Sequence, residues 1–354
     1  MKTFMFPGQG SQARGMGGNV FDEFPGLTQQ ADELLGYSIR ELCVEDPRQE
    51  LGKTQFTQPA LYVVNALSHI RKMRDGGEPP DFLVGHSLGE FNALQAAGCF
   101  SFEVGLSLVK KRAELMSKVS GGAMAAVMNA TKEEIEASLS AAGLKNIDLA
   151  NYNTPAQIVI SGSAAEIARA QELFQRGKTR YYPLNTSGAF HSRFMAEAMK
   201  EFAQYLQTVE FSEPGIPVIS NVTALPYRAQ EMRQTLAEQI VSTVRWCESI
   251  QYLQALGTAP SPMKFEEIGY GEVLTRLVRT IQQLTPPKYS AVTAEEKIAA
   301  WNAKYPIGTF VKSTTARYGQ LETRTQALVL FGHRAAVYMK GYNGYFDLDE
   351  LLPA

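Results

Sequence analysis

Asp81-Phe-Leu-Val-Gly-His-Ser-Leu-Gly-Glu90 is the stretch on which the fold turns. It reads as a short apolar strand, Phe82 to Val84, that breaks at Gly85, turns sharply through Ser87 and Gly89, and runs into the helix-forming stretch Phe91 to Ala97. A Gly-x-Ser-x-Gly turn between a strand and a helix is a nucleophile elbow. The backbone at its serine is strained and the two elements approach closely, so only small residues fit on either side. The hydroxyl is pushed out of the turn. The first N–H groups of the helix, and the positive end of its dipole, face whatever the serine attacks. Taken alone, the pattern also arises by chance in a structural turn; the strand before it and the helix after it favour a nucleophilic Ser87.

The 354 residues suffice for one large α/β domain with a small companion, or for two ordinary domains. With 45% hydrophobic and 20% charged residues and a formal net charge of −2, neither disorder nor nucleic-acid binding by bulk charge is expected. Cys43, Cys99 and Cys247 are widely spaced, which argues against a disulfide framework and a cysteine-rich metal site. The apolar run before Pro7 is too short for a signal peptide, and no run approaches membrane-spanning length. The expectation is a soluble cytoplasmic protein with no metal, no membrane contact and no nucleic-acid partner.

Around the elbow, Thr3 to Phe6 predicts a strand running into Pro7-Gly-Gln-Gly-Ser-Gln12. This turn lacks the spacing of a nucleotide-binding loop. It is either plain strand-ending punctuation or a source of N–H groups at Gln9 that complete an oxyanion hole with the N–H of Leu88. Val20 to about Arg74 reads as helical scaffold, its last long helix capped by Thr54 to Ala60 with Pro59 in the first turn. In the helix Gly105 to Met116, Lys110, Lys111 and Arg112 are consecutive and cannot share one face. Either they form a solvated basic edge, or Arg112 turns inward as a buried cation that wants a carboxylate.

Residues 123–187 spell β-α-β-β-α-β, the ferredoxin-like order, inserted into the larger domain. The chain returns at Asn185 to Met195, and this places His191 just outside the insertion. Of the four histidines, His69 lies in a scaffold helix, His86 points away from the serine beside it, and His333 falls in a separate C-terminal piece. His191 is therefore the candidate base for Ser87. No aspartate stands out as a third member, which leaves a backbone carbonyl as the alternative partner for the imidazole. A strand and helices follow, among them Ala229 to Val241 and Trp246 to Leu256. Residues 285–293 read as a linker, and 294–354 as a helix followed by a small, mainly β appendix with no legible role. The predicted fold is α/β: an α/β-hydrolase-like core of residues 1–122 and 188–284, the ferredoxin-like insertion, and the appendix.

Several motifs together resemble the malonyl-CoA:acyl carrier protein transacylase family, and most closely the freestanding acyltransferases that serve polyketide synthases. They are Phe6-Pro-Gly-Gln-Gly-Ser-Gln12, Gly85-His-Ser-Leu-Gly-Glu90, Lys111 to Met116, Asn151 to Gly162, Ala189-Phe-His-Ser-Arg193, Ser220-Asn-Val-Thr223, and Gln239 ahead of Val244-Arg-Trp246. The resemblance covers about residues 1 to 284. It implies that Ser87 is acylated with His191 as base, that the Gln239 carbonyl holds the imidazole, and that Gln9 and Leu88 form the oxyanion hole. It also implies that Arg112 clamps the malonyl carboxylate, that Asn153 is a polar residue near the substrate, and that Phe190 restricts the acyl group to malonyl. The implied substrate is malonyl-CoA, with no permanently bound cofactor, and the implied partner is an acyl carrier protein domain of a polyketide synthase. A proofreading acyl hydrolase and a noncatalytic carrier-docking factor are the alternative readings.

Overall fold

The structure, a computed structural model, describes residues 1–258, 261–285, 294–314, 318–331, 334–342 and 344–353. The chain divides into two compact units, Met1–Tyr252 with Lys264–Pro287, and Leu253–Met263 with Lys288–Ala354. No described helix is long and apolar enough to cross a membrane.

The chain begins with β1 (Lys2–Phe6), α1 (Val20–Glu23), α2 (Pro25–Leu35), α3 (Ile39–Val44) and α4 (Thr54–Arg74), followed by β2 (Phe82–Gly85), α5 (Gly89–Ala96) and α6 (Phe102–Lys118). A small sheet region comes next: β3 (Gly122–Met128), α7 (Lys132–Ala141), β4 (Ile147–Thr154), β5 (Gln157–Ser163), α8 (Ala164–Phe174) and β6 (Arg180–Pro183). Then follow α9 (Ala196–Leu206), β7 (Val218–Ile219), α10 (Met232–Glu238), α11 (Trp246–Leu256), β8 (Lys264–Glu267) and α12 (Val273–Leu284).

The central sheet has the order β7-β2-β1-β8, with every pair parallel and Phe6 opposite Gly85. Phe4, Met5, Phe6, Phe82, Leu83 and Val84 are all fully buried. Continuous apolar runs of this kind are what a parallel sheet covered on both faces requires. Because β1 and β2 are parallel, the Pro7 loop and the elbow leave the sheet at the same edge. Ligands of open α/β sheets bind outside the carboxyl ends of the strands, and the two loops meet there.

The small sheet has the order β4-β5-β3-β6 with antiparallel neighbours. It owns a separate core in which Ile135 of α7 and Ile167 of α8 pack with Val127, Ile158 and Ile160. The sheet is stitched to the rest of its unit through β4. Tyr152 N–H donates to the Val244 carbonyl at 2.9 Å, Val244 N–H to the Ala150 carbonyl at 2.8 Å, and the Thr243 hydroxyl to the Leu149 carbonyl at 2.6 Å.

In the second unit, α13 (Ala294–Lys304) accompanies two three-stranded antiparallel sheets. These are β10-β9-β14, from Gln320–Glu322, Phe310–Ser313 and Leu351–Pro353, and β11-β12-β13, from Leu328–Leu330, Arg334–Tyr338 and Tyr345–Asp347. Val311, Leu321, Val337 and Phe346 fill its core with Trp301 of α13 against them.

Two local expectations are corrected. Pro59 is not in the first turn of its helix but inside α4, which already begins at Thr54. The Thr57 hydroxyl binds the Leu51 and Lys53 carbonyls at 2.6 and 3.0 Å and secures the earlier start. The helix expected to reach Val241 ends at Glu238, and in the turn beyond it the carbonyls of Gln239 and Ser242 accept from His191. Of the expected linker, residues 286–293 lie outside the described residues, as does His333.

Candidate active site

The elbow is built by close approach. A Cβ on Gly85 would lie 1.9 Å from the Gly89 carbonyl carbon, one on Gly89 would lie 2.0 Å from the Phe6 oxygen, and one on Gly8 would lie 2.2 Å from the His86 oxygen. Strand, turn and Pro7 loop therefore pack backbone on backbone. Gly89→Ala is expected to cost about 3 kcal/mol in denaturant unfolding, because rigid main chain must shift. Gly26→Ala in α2, where a Cβ meets nothing within 4 Å, should by contrast leave stability unchanged or slightly raised.

Ser87 has φ of 51°, in the left-handed region that side chains other than glycine avoid. Two side chains hold it there. Asn221 Oδ1 accepts the Ser87 N–H at 2.7 Å, and Gln239 Nε2 donates to the Ser87 carbonyl at 2.8 Å.

Ser87 Oγ lies 2.7 Å from His191 Nε2. His191 also has a positive φ, 56°, and it is buried. Its Nδ1 donates to the Gln239 carbonyl at 2.9 Å and the Ser242 carbonyl at 3.2 Å, in the turn that ends α10. Carbonyls only accept, so Nδ1 carries the proton and Nε2 is left to accept from the serine hydroxyl. Burial, reinforced by the nearby Arg112 charge, holds the imidazole down to about 3, so it is neutral at physiological pH.

Arg112 is the inward member of its basic run. It is fully buried while Lys110 is exposed. One terminal nitrogen donates to Gln58 Oε1 at 2.7 Å; the other donates to Gln239 Oε1 at 2.8 Å and to Ser87 Oγ at 3.2 Å. Its Nε has no partner, and among the described residues no carboxylate forms an ion pair with it. Burial lowers the guanidinium to about 10, and the charge of Glu90, one residue removed, opposes that shift.

Leu88 is buried at the start of α5, and the Gln9 side chain donates to Thr54 Oγ1 at 3.2 Å. Among the described residues the main-chain N–H groups of Gln9 and Leu88 have no internal partner. Asn153, on β4, meets His86 rather than the serine: Asn153 Oδ1 accepts from His86 Nε2 at 2.8 Å. Phe190 is buried in the main core. Gln58, Glu90, Asn221 and Tyr227, none of which the sequence reading named as a site residue, complete the polar cluster.

A cavity of about 760 Å³ opens beside the dyad. His191 and Ser242 line one side, and Leu149, Tyr152 and Ile158 of the small sheet line the other. Its charged residues are of both signs. Arg193 Nε lies 3.0 Å from Asp148 Oδ1, and an Arg245 terminal nitrogen 2.9 Å from Glu248.

A serine strained into the open, a neutral base fixed by main-chain carbonyls and unsatisfied N–H groups nearby are the parts of acyl transfer through an acyl-serine. Residues 3–299 match the acyl transferase domain family, and the chain belongs to that family. Within it, the chain is similar to the polyketide biosynthesis malonyl CoA-acyl carrier protein transacylase PksC of Bacillus subtilis, at 55% identity over 285 residues, 80% of this chain and 98% of that protein. Among solved structures it is similar to the malonyl CoA-acyl carrier protein transacylase of Burkholderia pseudomallei. That match has 62% identity and a TM-score of 0.79, over 81% of this chain and 99% of the other. A malonyl-transacylase solved in complex with a type II PKS acyl-carrier protein is also similar, at 32% identity and a TM-score of 0.74, over 80% of this chain and 93% of the other. These neighbours share its α/β fold.

Proposed function

We propose that this chain moves a malonyl group from malonyl-CoA, through an acyl-Ser87 intermediate, to the phosphopantetheine thiol of an acyl carrier protein, acting in trans for a polyketide synthase. The observation that carries the reading is Arg112, a fully buried cation with no ion-paired carboxylate among the described residues, whose terminal nitrogen lies 3.2 Å from the nucleophile. A structural arginine at such depth would sit directly on an acid, since leaving a buried charge unpaired is costly. A malonyl group brings that acid with it, at a fixed distance from the carbonyl under attack.

In the first half-reaction Ser87 Oγ bonds to the thioester carbon as His191 Nε2 takes the hydroxyl proton. The oxyanion rests on the N–H groups of Gln9 and Leu88. The C–S bond then breaks and the departing CoA sulfur takes the proton from His191. In the second half-reaction the carrier's thiol gives its proton to His191 and attacks the acyl carbon. The C–O bond breaks, and Ser87 recovers its proton. The pantetheine arm takes the cavity lined by His191 and the small sheet, whose walls mix apolar and charged side chains.

Four fold-level and site-level assignments belong to the same proposal. The core, residues 1–122 and 188–284, is α/β-hydrolase-like, and its parallel sheet supports this. The insertion at 123–187 is ferredoxin-like, in line with its β4-β5-β3-β6 order. Residues 294–354 form an appendix joined by 285–293. Asn153 acts on the site through His86.

The test is the intact mass of the protein after brief exposure to malonyl-CoA, acetyl-CoA or methylmalonyl-CoA. A single malonyl adduct, discharged by a holo carrier protein, is expected, with little adduct from the other two. Hydrolysis of uncharged acyl carriers without a malonyl adduct would instead favour a proofreading hydrolase.

A further inference from the structure

Glu90, in the first turn of α5, is fully buried. A carboxylate at that depth survives only if donors surround it. The Asn221 N–H lies 3.3 Å from each of its oxygens, the Tyr227 hydroxyl donates to Oε1, and Gln239 Nε2 donates to Oε2 at 2.6 Å. The two amide-bearing partners, Asn221 and Gln239, each have a second task at the site. Asn221 receives the Ser87 N–H and donates to the Gly85 carbonyl, both at 2.7 Å. Gln239 supports the Ser87 carbonyl, offers Oε1 to Arg112 at 2.8 Å, and holds His191 through its main-chain oxygen.

A primary amide has a donor end and an acceptor end, whereas an ionised carboxylate only accepts. Glu90 therefore draws the Nε2 end of Gln239 toward itself, in concert with the Ser87 carbonyl that accepts from the same nitrogen and the Arg112 guanidinium that donates to Oε1. With the amide reversed, its NH₂ would meet the guanidinium, and its oxygen would meet both the carboxylate and the Ser87 carbonyl.

We infer that Glu90 is a positioning residue for acyl transfer: its carboxylate fixes the Gln239 amide, and through that one side chain aims Arg112 while bracing the nucleophile and the base. The inference rests on the acyl-transfer reading above and adds to it the group that sets the geometry.

Several titratable groups face this cluster. Arg112 comes from α6, and Tyr227, on the segment after β7, is held well above its usual range by burial and by Glu90, with Cys99 behind it. His191 lies across the Gln239 carbonyl and is neutral, and His86 in the elbow is lowered by burial. Burial pushes Glu90 itself up to about 7, against its three donors and the Arg112 charge. Near neutrality, then, Glu90 is the member of the cluster whose charge changes. The ionised form is the positioning form, so acylation should fall as pH drops through about 7, well above the limb that belongs to His191.

The experiment follows acylation of the full chain by malonyl-CoA from about pH 5.5 to 9 in wild type, Glu90→Gln and Tyr227→Phe, with thermal unfolding alongside. Wild type should lose about tenfold in kcat/KM per pH unit below about 7. Glu90→Gln, whose amide tolerates either orientation of Gln239, should lose that limb. At pH 8 it should be about thirtyfold slower, the loss expected for a hydrogen bond to a charged group, with a reduced preference for malonyl-CoA over acetyl-CoA. Tyr227→Phe keeps the carboxylate but removes a donor, so its limb should move to higher pH. A Glu90→Gln enzyme at wild-type rate with its limb intact overturns the inference. If that variant does not fold, an unmoved limb in Tyr227→Phe overturns it. Failure of wild type to take up malonyl at all would instead sink the acyl-transfer reading, so the two failures are distinguishable.

Discussion

Ser87→Ala will carry no acyl group after incubation with malonyl-CoA, and transfer to a carrier protein will fall by about a millionfold, the scale on which removal of an activated nucleophile acts. The variant should fold. Alanine occupies the left-handed backbone at this turn no more comfortably than serine does, and the clamps from Asn221 and Gln239 grip main-chain atoms that alanine also has. Arg112 remains in place, so malonyl-CoA should still bind when titrated calorimetrically. Retained binding with abolished acylation separates catalysis from docking. Retained acylation would move the nucleophile elsewhere and undo the assignment of Ser87.

Arg112→Ala should lower the second-order rate constant for malonyl-CoA by about 10² to 10³, the value of a buried, hydrogen-bonded ion pair expressed as a rate. Uncharged acyl thioesters never form that pair, so they should lose far less, and the preference for malonyl-CoA over acetyl-CoA should shrink toward unity. Arg112→Lys is not a remedy. The planar fork reaches Gln58, Gln239 and Ser87 at once, and a single ammonium on a flexible stem cannot span the three. Rates for both thioesters, measured on the same preparations by quenched-flow mass analysis, decide the matter. Equal losses for both would assign Arg112 to structure alone.

The parts of the site that were legible in sequence are those encoded locally or by scarcity. Ser87 announces itself because strand, turn and helix are contiguous, and the close packing at Gly85 and Gly89 leaves the chain few other residues. With only four histidines in the chain, His191 could be reached by elimination. Arg112 could not be settled that way. Three consecutive cations look alike until the packing of α6 turns one of them inward. The Glu90 cluster was hidden for a different reason: Asn221 and Gln239 are 131 and 149 residues away from Glu90, and nothing near any of them in sequence shows that they meet.

The fold shows the same division. Long apolar strands and amphipathic helices were readable. The extra strands of the second unit, three residues each at β10, β13 and β14, are too short to show a period. The turn after α10 was unreadable because what it does is tertiary: its two carbonyls accept from His191, 48 and 51 residues away in sequence.

The seam along β4 bears on how relatives of this enzyme can be recombined. Transplanting the small sheet alone, from Gly122 to Pro183, would sever the three hydrogen bonds to Thr243 and Val244 and replace them with contacts between different parents. Thr243 directly follows Ser242, whose carbonyl holds the imidazole, so a mismatch at the seam would be transmitted to the base within one peptide unit. A crossover placed beyond Arg245 keeps β4, its seam and the acceptors of His191 from a single parent. The unit of inheritance for this active site is thus longer than the insertion that the eye picks out.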